Sequence, residues 1–412
     1  MKMNELQQQL PEMLAGEELR NRLRVLPKYC DGDSEKSVSE RLTFLNELYN
    51  IYVPSAMSNE IYTKLYLAVL RSLGKKNTIA ATQQYYQNCR AIKQKEHHGI
   101  IGGSDSFTII GGAGIGKSSA IFRAIALITQ GTIEIEKPYV KVVPCIVVQC
   151  PFDSSVKSLL LEILRKIDEA IGSNYYEKAV KARATTDMLI GLVSQACLNH
   201  VGLLIIDEIQ NVANSKNGNN LIGSLTQLIN NSGISICMVG TLDCKPFLEQ
   251  TAYLARRSLG LEYSTMKFDK QFTNFCTTIW CYQYVHQKNE LTPVILEWLY
   301  EHSGGNTSII VTLIHDAQEI AILNGSEILN IENLNNAYQQ RLSMLHDYIN
   351  PSIAHNSQTT QIRKSKPIKK PSKTAPQKSD FKIMDLAEKA KSEGLDFLSL
   401  LRENIIVEEI TI

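Results

Sequence analysis

The sequence has almost no net charge and no long hydrophobic run. Its 412 residues include 43 lysines and arginines against 42 aspartates and glutamates. This balance excludes a uniformly basic protein that coats nucleic acid by charge alone, and it excludes a disordered acidic chain. No apolar stretch approaches the roughly 20 residues that span a bilayer, and the first ten residues lack the apolar core of a signal peptide. We therefore expect a cytoplasmic protein without a membrane partner, in which any contact with a polyanion is local.

No CxxC pair is present among the nine cysteines, so a zinc ribbon or a dithiol redox site is not indicated. The pairs Cys145/Cys150 and Cys276/Cys281 each have four residues between them, but we can place no further metal ligands beside them. We expect buried, reduced thiols instead.

The length predicts several domains. Residues 1–100 are predicted to be a helical targeting and assembly region, in which apolar residues recur every three or four positions after Ser58, the expected N-cap. We assign 101–265 to an α/β core, 266–350 to a helical lid, 351–379 to a basic linker with proline and lysine, and 380–412 to a docking tail.

Short apolar runs alternate with helical stretches in the core, at 107–110, 142–148, 203–206 and 234–239. This alternation is typical of buried parallel strands joined by crossover helices. The expected fold class is therefore α/β, with a parallel sheet flanked by helices, a helical lid and a helical N-terminal extension.

A complete GxxxxGK[ST] motif follows the first of these runs and precedes a helical stretch. In this context its backbone N–H groups are expected to surround phosphate oxygens, while Lys117 brings a charge to the β- and γ-phosphates and Ser118 holds Mg²⁺. The alternative is a glycine-rich turn that matches by accident. The predicted ATP-binding residues are Gly111, Gly112, Ala113, Gly114, Ile115, Gly116, Lys117, Ser118 and Ser119.

Two acids end the third apolar run, Asp207 and Glu208. Asp207 is predicted to hold Mg²⁺ and Glu208 to orient and polarise the attacking water. Two adjacent acids at a strand end could instead belong to a solvated loop. The distance from the first motif leaves room for a strand and two helices, which is typical of ATPases with an inserted strand.

Polar and basic residues follow the fourth run. Thr241 is predicted to sense the γ-phosphate, although it could be an ordinary cap of the strand end. Arg256 and Arg257 are predicted to give a guanidinium to the nucleotide of a neighbouring subunit, with surface charge as the alternative.

In this order, the motifs resemble those of AAA+ ATPases. The segments 105–111, 207–211, 240–241 and 255–257 are similar to the TnsC/TniB group of DNA transposition regulators, relatives of MuB. The resemblance implies an ATP- and Mg²⁺-dependent protein that forms a ring or helical filament on duplex DNA. It also implies a transposase partner, which we place at the C-terminal tail, and a target-selection factor, which we place at the N-terminal region.

The lid departs from many AAA+ proteins, because no lysine or arginine occurs between Lys288 and Arg341. The usual lid arginine is missing or replaced by Asn306, Thr307 or His315, so hydrolysis is expected to be slow. An acidic lid repels phosphate, which places DNA on the helices flanking the sheet. Predicted backbone contacts that read no bases are Lys157, Lys178, Lys181 and Arg183, with solvated helix charges as the alternative.

Two other functions compete with transposition. An origin-recognition or helicase-loading AAA+ protein is expected to carry a winged-helix DNA reader after the lid, where this sequence has a basic linker and an acidic helix. A nucleotide-held signalling scaffold would have no DNA role.

Overall fold

The computed structural model describes residues 4–76, 78–94, 106–136, 139–153, 155–213, 218–245, 259–343 and 345. All of them lie in the first of two compact units, Met1–Ile353, and not in the second, Ala354–Ile412. Within these ranges no helix is both long and apolar enough to cross a membrane.

A six-stranded sheet forms the centre of the described chain. Its strands are β1 (Phe107–Gly111), β2 (Ile133–Glu136), β3 (Tyr139–Gln149), β4 (Val201–Asp207), β5 (Ser235–Gly240) and β6 (Leu259–Tyr263). Their order is β2-β3-β4-β5-β1-β6, with β2 antiparallel to β3 and every other pair parallel. Strand β5 lies between β1 and β4, so the carboxyl ends of these three strands meet at one edge.

The strands are apolar on both sides because helices cover both faces. Ile109, Leu203 and Val239 face a layer formed by α1 (Glu5–Gln8), α2 (Gly16–Leu23), α4 (Ala56–Lys75) and α6 (Lys117–Ile128). Ile110 and Ile206 face the opposite layer. The helices of that layer are α5 (Ile79–Gln94), α7 (Val156–Ile171), α8 (Tyr175–Lys181), α9 (Thr186–His200) and α11 (Gly218–Ser232), and the short α10 (Gln210–Ala213) follows β4.

Four helices form the lid: α12 (Lys270–Trp280), α13 (Pro293–Ser303), α14 (Thr307–Asn324) and α15 (Ile331–Arg341). Each begins at a capping side chain that accepts backbone N–H groups of the first turn, from Asp269, Thr292, Asn306 and Asn330. The Gly304-Gly305-Asn306 break separates α13 from α14, as the sequence predicts.

An N-terminal strap, residues 29–53, completes the lid core. It contains α3 (Val38–Phe44) and a 3₁₀ helix (Leu45–Asn50), and its Leu45, Leu48 and Ile51 are buried among lid side chains. Arg41, only 1% exposed, makes a two-pronged ion pair with Glu327 at 2.6 and 2.8 Å. The chain then continues into α4 on the sheet, so the strap connects the lid with the central sheet.

The structure corrects several local predictions. The N-cap of α4 is Ser55, and Ser58 lies in the first turn, where its hydroxyl accepts the Ser55 N–H at 3.0 Å. Strands β2 and β6 were not predicted. Among the described residues between the two motifs, the structure has the strands β2 and β3 and the helices α6, α7, α8 and α9, where the sequence predicts one strand and two helices. The four predicted strands and the fold class are confirmed. The nine cysteines are unpaired, but the expectation of buried thiols is met by only five of them, since Cys89 and Cys145 are half-buried and Cys30 and Cys281 are exposed.

Candidate nucleotide site

The phosphate loop connects β1 to α6 at the carboxyl edge of the sheet. Gly114 and Gly116 adopt φ angles of 77° and 92°, in the left-handed region that glycine enters without strain. Gly116 is the N-cap of α6, and no side chain of the described residues caps this helix. Its first N–H groups are therefore available to an anion, as the motif predicts. Ile115 is 5% exposed and anchors the loop in the core.

The amine of Lys117 lies inside the loop. Its Nζ donates to the carbonyls of Gly111 at 2.8 Å and Gly112 at 2.7 Å. Burial lowers the pKa of this amine, while the carboxylates of Asp207 and Glu208 oppose the shift. The position brings a single cation to the bottom of the loop, beside the two acids.

Ser118 and Asp207, 89 positions apart in sequence, meet at this edge. The Ser118 hydroxyl donates to Asp207 Oδ2 at 3.1 Å. A hydroxyl and a carboxylate are oxygen ligands of the kind that Mg²⁺ takes beside a phosphate. The two residues assigned to Mg²⁺ from the sequence therefore fit the ion, and Ser119 is exposed one position further along α6.

Glu208 has a left-handed backbone, with φ at 59°, which is uncommon outside glycine, asparagine and aspartate. Its N–H donates to Asp207 Oδ1 at 2.9 Å, and its carboxylate accepts a hydrogen bond from the Gln210 side chain. The Gln210 Oε1 in turn accepts the N–H of Thr241 at 3.2 Å. Gln210 thus holds Glu208 to the end of β5, a role that no local sequence signal predicts.

Thr241 lines the same cleft at the end of β5. Its hydroxyl donates to Asp243 Oδ2 at 3.0 Å. The predicted sensor role of Thr241 stays a prediction, as does the role of the paired arginines, because Arg256 and Arg257 lie outside the described residues.

A cleft of about 720 Å³ opens above the loop and extends between the sheet, the strap and the lid. Its polar wall contains Lys117, Ser118, Asp207 and Glu208. The predicted loop residues and Thr241 also line it, whereas sequence reasoning missed most of the lining from the strap and the lid, because these segments lie far from the motifs in the chain. Apolar members of that lining are Leu48, Ile51, Val53, Met57, Phe275 and Val311.

The lid touches the phosphate loop directly. Asn306 Nδ2 donates to the Ala113 carbonyl at 2.8 Å and Thr307 Oγ1 to the Gly114 carbonyl at 2.7 Å. His315, the third residue considered in place of a lid arginine, instead bonds Asp316 and packs on Tyr49.

The predicted DNA-contacting cations are all exposed, on the α7 and α9 side of the sheet. Lys157 is in the first turn of α7, Lys178 and Lys181 are on α8, and Arg183 follows α8 with φ at 50°. Lys181 is paired with Glu177 at 3.0 Å. Their contact with DNA stays a prediction.

Comparison with known proteins gives one family match and distant structural likenesses. Residues 100–248 match the family model of an AAA domain. No curated protein matches the chain.

Similar solved structures include the ORC2 protein of Aeropyrum pernix in ADPNP and ADP complexes, which is 15% identical with a TM-score of 0.40 over 63% of this chain and 66% of that one. The ORC1 protein of the same organism, in complex with DNA, is 14% identical with a TM-score of 0.41 over 66% and 68%. Domain III of the Thermotoga maritima replication initiation protein DnaA is 16% identical with a TM-score of 0.35 over 66% and 94%.

The chain spans about two thirds of the length of the ORC structures, and likenesses of this strength carry no conclusion about activity or partners. The TnsC/TniB resemblance has no counterpart in the family match. The phosphate loop at the sheet edge and its acidic partners agree with the matched family model: residues 100–248 resemble an AAA domain, built on an α/β sheet.

Proposed function

We propose that the chain binds ATP with Mg²⁺ in this cleft and hydrolyses it to ADP and phosphate. The observation that supports the proposal most is the hydrogen bond between Ser118 and Asp207, which brings the two motifs to one point. Lys117 would stabilise the β- and γ-phosphates, and Ser118 and Asp207 would hold the metal. Mg²⁺, when bound, would neutralise charge on the transferred phosphoryl group.

Glu208 is the residue proposed to act on water. Its carboxylate would accept a proton from the water that attacks the γ-phosphorus, while the bond from that phosphorus to the β,γ-bridging oxygen breaks and ADP leaves. Gln210 restrains this carboxylate through its amide. Thr241, Arg256 and Arg257 are proposed to complete the site, the arginines from a neighbouring subunit.

Measuring ATP binding by Lys117→Ala tests whether the phosphate loop is the nucleotide site. Loss of the one cation within the loop is expected to weaken ATP binding by about 100-fold or more, since a charge-assisted contact to phosphate is removed from a partly buried site. Lys157→Ala, which changes an exposed lysine outside the cleft, is the matched control. Equal ATP affinity of Lys117→Ala and the unchanged protein would reject the site.

We further propose that ATP controls assembly on duplex DNA. The support is the motif resemblance to transposition regulators and the group of exposed cations Lys157, Lys178, Lys181 and Arg183. A filament repeats a modest contact many times, so a nearly neutral chain can bind DNA tightly. Electron microscopy of the protein with duplex DNA is expected to show rings or filaments when ATP is present and none when ATP is absent. Particles whose form depends on neither DNA nor ATP would favour the signalling scaffold.

Transposition regulation and origin-type helicase loading share this ATP-dependent DNA binding, and they differ in the partner. In the first, residues 380–412, which lie outside the described residues, are proposed to bind a transposase, and the N-terminal region a target-selection factor. Stimulation of a transposase by the full chain, lost on deleting 380–412, would support this setting. Recruitment of a replicative helicase without such stimulation would support the loader.

A further inference from the structure

The first turn of α14 is fixed to the phosphate loop by three hydrogen bonds. Besides the side chains of Asn306 and Thr307, the N–H of Ser308 donates to the Gly114 carbonyl at 3.1 Å. The packing is close, because a Cβ on Gly114 would lie 2.7 Å from Asn306 Oδ1. All three donors are neutral, and the acceptors are two backbone carbonyls, those of Ala113 and Gly114.

Asn306 uses both ends of its side chain. The oxygen Oδ1 accepts the N–H of Ser308 at 3.1 Å and so caps α14, while the nitrogen Nδ2 donates to Ala113 at 2.8 Å. The same residue therefore starts the longest lid helix and binds the loop. Any rotation of α14 displaces one end of this side chain from its partner.

Helix α14 is packed into the core of the lid. Ile310, Leu313 and Ile314 are fully buried in the lid core, and the N–H of Met266 donates to the Gly305 carbonyl at 3.0 Å immediately before the helix. Since packed cores shift as units, the three hydrogen bonds connect the loop to the position of the complete lid.

We propose that Asn306 and Thr307 are positioning residues that couple ATP binding to the lid through the loop backbone. The inference rests on the proposed function, ATP binding at the phosphate loop. Loop N–H groups bind phosphate, and the lid holds carbonyls of the same peptide segment. A ligand that orders the loop then stabilises the lid position, and the lid position stabilises the ligand by the same factor. This coupling needs no cationic lid side chain.

Two substitutions separate coupling from capping. Asn306→Asp keeps an excellent N-cap but replaces the donor facing Ala113 by a carboxylate oxygen. Thr307→Val keeps the shape and removes the hydroxyl. The matched controls are Asn330→Asp, which makes the same change at the N-cap of α15, and Thr307→Ser, which keeps a hydroxyl at this position.

We expect the dissociation constant for Mg-ATP to rise roughly 2- to 10-fold in Asn306→Asp and in Thr307→Val, the range for one lost hydrogen bond. Hydrogen exchange gives the second readout. In the unchanged protein, ATP is expected to slow amide exchange in α14, and this ATP-dependent slowing should disappear in both variants. A residue that only stabilises the lid would change exchange equally with and without ATP.

Exchange of the loop amides 112–116 without nucleotide tests the contact independently of ATP. We expect faster exchange there in Asn306→Asp than in Asn330→Asp. If the unchanged protein binds no ATP, the proposed function fails, while this measurement still decides whether the lid restrains the loop. If ATP binds and both variants keep its affinity and its effect on α14, the coupling role is wrong. If Asn306→Asp does not fold, the comparison of Thr307→Val with Thr307→Ser decides, by the dissociation constant for Mg-ATP and the exchange of α14.

Discussion

The edge of the sheet and the lid face the same cleft but contribute different chemistry. The sheet edge supplies the charged groups directly beside the phosphate loop, Lys117, Asp207 and Glu208. The lid has no lysine or arginine between Lys288 and Arg341 and contributes an amide and a hydroxyl to the loop backbone. We infer that the sheet edge carries out the chemistry, whereas the lid controls the geometry of the loop. Variants in the two regions should therefore change different measurable quantities.

Glu208→Gln should give the largest effect, on the sheet edge. Replacing the carboxylate by an amide removes the proton acceptor, so we expect kcat for ATP hydrolysis to fall about 10²- to 10⁴-fold. ATP binding should be preserved, and filaments formed with ATP should persist. Phosphate release in the steady state measures the change.

The control for Glu208→Gln is Glu262→Gln, which alters another acid of the cleft, one paired with Lys245 at 2.7 Å. A normal hydrolysis rate in Glu208→Gln would remove Glu208 from the mechanism and weaken the division between the two regions.

Arg41→Ala should give the second largest effect, a loss of unfolding free energy where the strap is attached to the lid. The substitution leaves the partly buried Glu327 carboxylate without the guanidinium, although it still accepts the His286 N–H at 3.3 Å, and loss of a buried ion-pair partner costs up to about 3–5 kcal/mol of unfolding free energy. Denaturant unfolding measures it. Arg20→Ala, in an exposed pair with Glu17, is the control and should change stability by less than about 1 kcal/mol. Equal losses in the two variants would show that the strap does not hold the lid.

Gly114→Ala should sharpen the comparison at the junction of the two regions. The added Cβ meets the Asn306 side chain and the backbone φ of 77° disfavours alanine, so we expect a loss of about 1–3 kcal/mol. Gly325→Ala has nearly the same φ, 75°, with open space around it, and therefore isolates the backbone contribution. Only Gly114→Ala should also weaken ATP binding. Equal behaviour of the two variants would mean that the contact with the lid is unimportant.

Lys76, outside both regions, should give the smallest effect when it is expressed per pH unit. Two long cations of the chain are buried differently: Arg41 meets a carboxylate, whereas the described partners of Lys76 Nζ are carbonyls near the end of α9, Cys197 at 3.0 Å and Leu198 at 2.7 Å. Burial lowers the pKa of Lys76 from 10.5 to about 7. Between these values the unfolded chain binds the extra proton, so stability should rise with pH, by at most about 1.4 kcal/mol per unit.

Unfolding free energies at several pH values between 7 and 9.5 check the Lys76 prediction. Lys76→Met should have a flatter dependence on pH than the unchanged protein, because it removes the titrating group. Parallel curves for the two proteins would show that Lys76 does not titrate in this range.

The sequence predicts the sheet edge far better than the lid contacts, and the reason is physical. A phosphate loop and an acid at the end of a buried strand are local patterns, and parallel strands bring their carboxyl ends together. The sequence alone therefore predicts that Ser118 and Asp207 cooperate. The partnership of Arg41 with Glu327 joins residues 286 positions apart, and no local pattern encodes it.

Edge strands and caps show the same limit at a smaller scale. Strand β6 pairs on one side only, with β1, and its Leu259–Tyr263 segment is too short and mixed to stand out from a loop. Ser58 was predicted as the N-cap because it precedes the apolar stripe, but Ser55 starts the helix three residues earlier. The sequence predicts a helix break that includes Asn306 and offers this residue as one substitute for the lid arginine. Its bond to Ala113 depends on tertiary packing.

Binding of ATP to Asp207→Asn, with and without Mg²⁺, tests the central claim most directly. The claim is that the two motifs join into one Mg-ATP site through Ser118 and Asp207. Calorimetric titration of the unchanged protein is expected to show ATP binding that Mg²⁺ strengthens, and in Asp207→Asn that strengthening should disappear while the protein stays folded. An equal Mg²⁺ dependence in both proteins would contradict the claim.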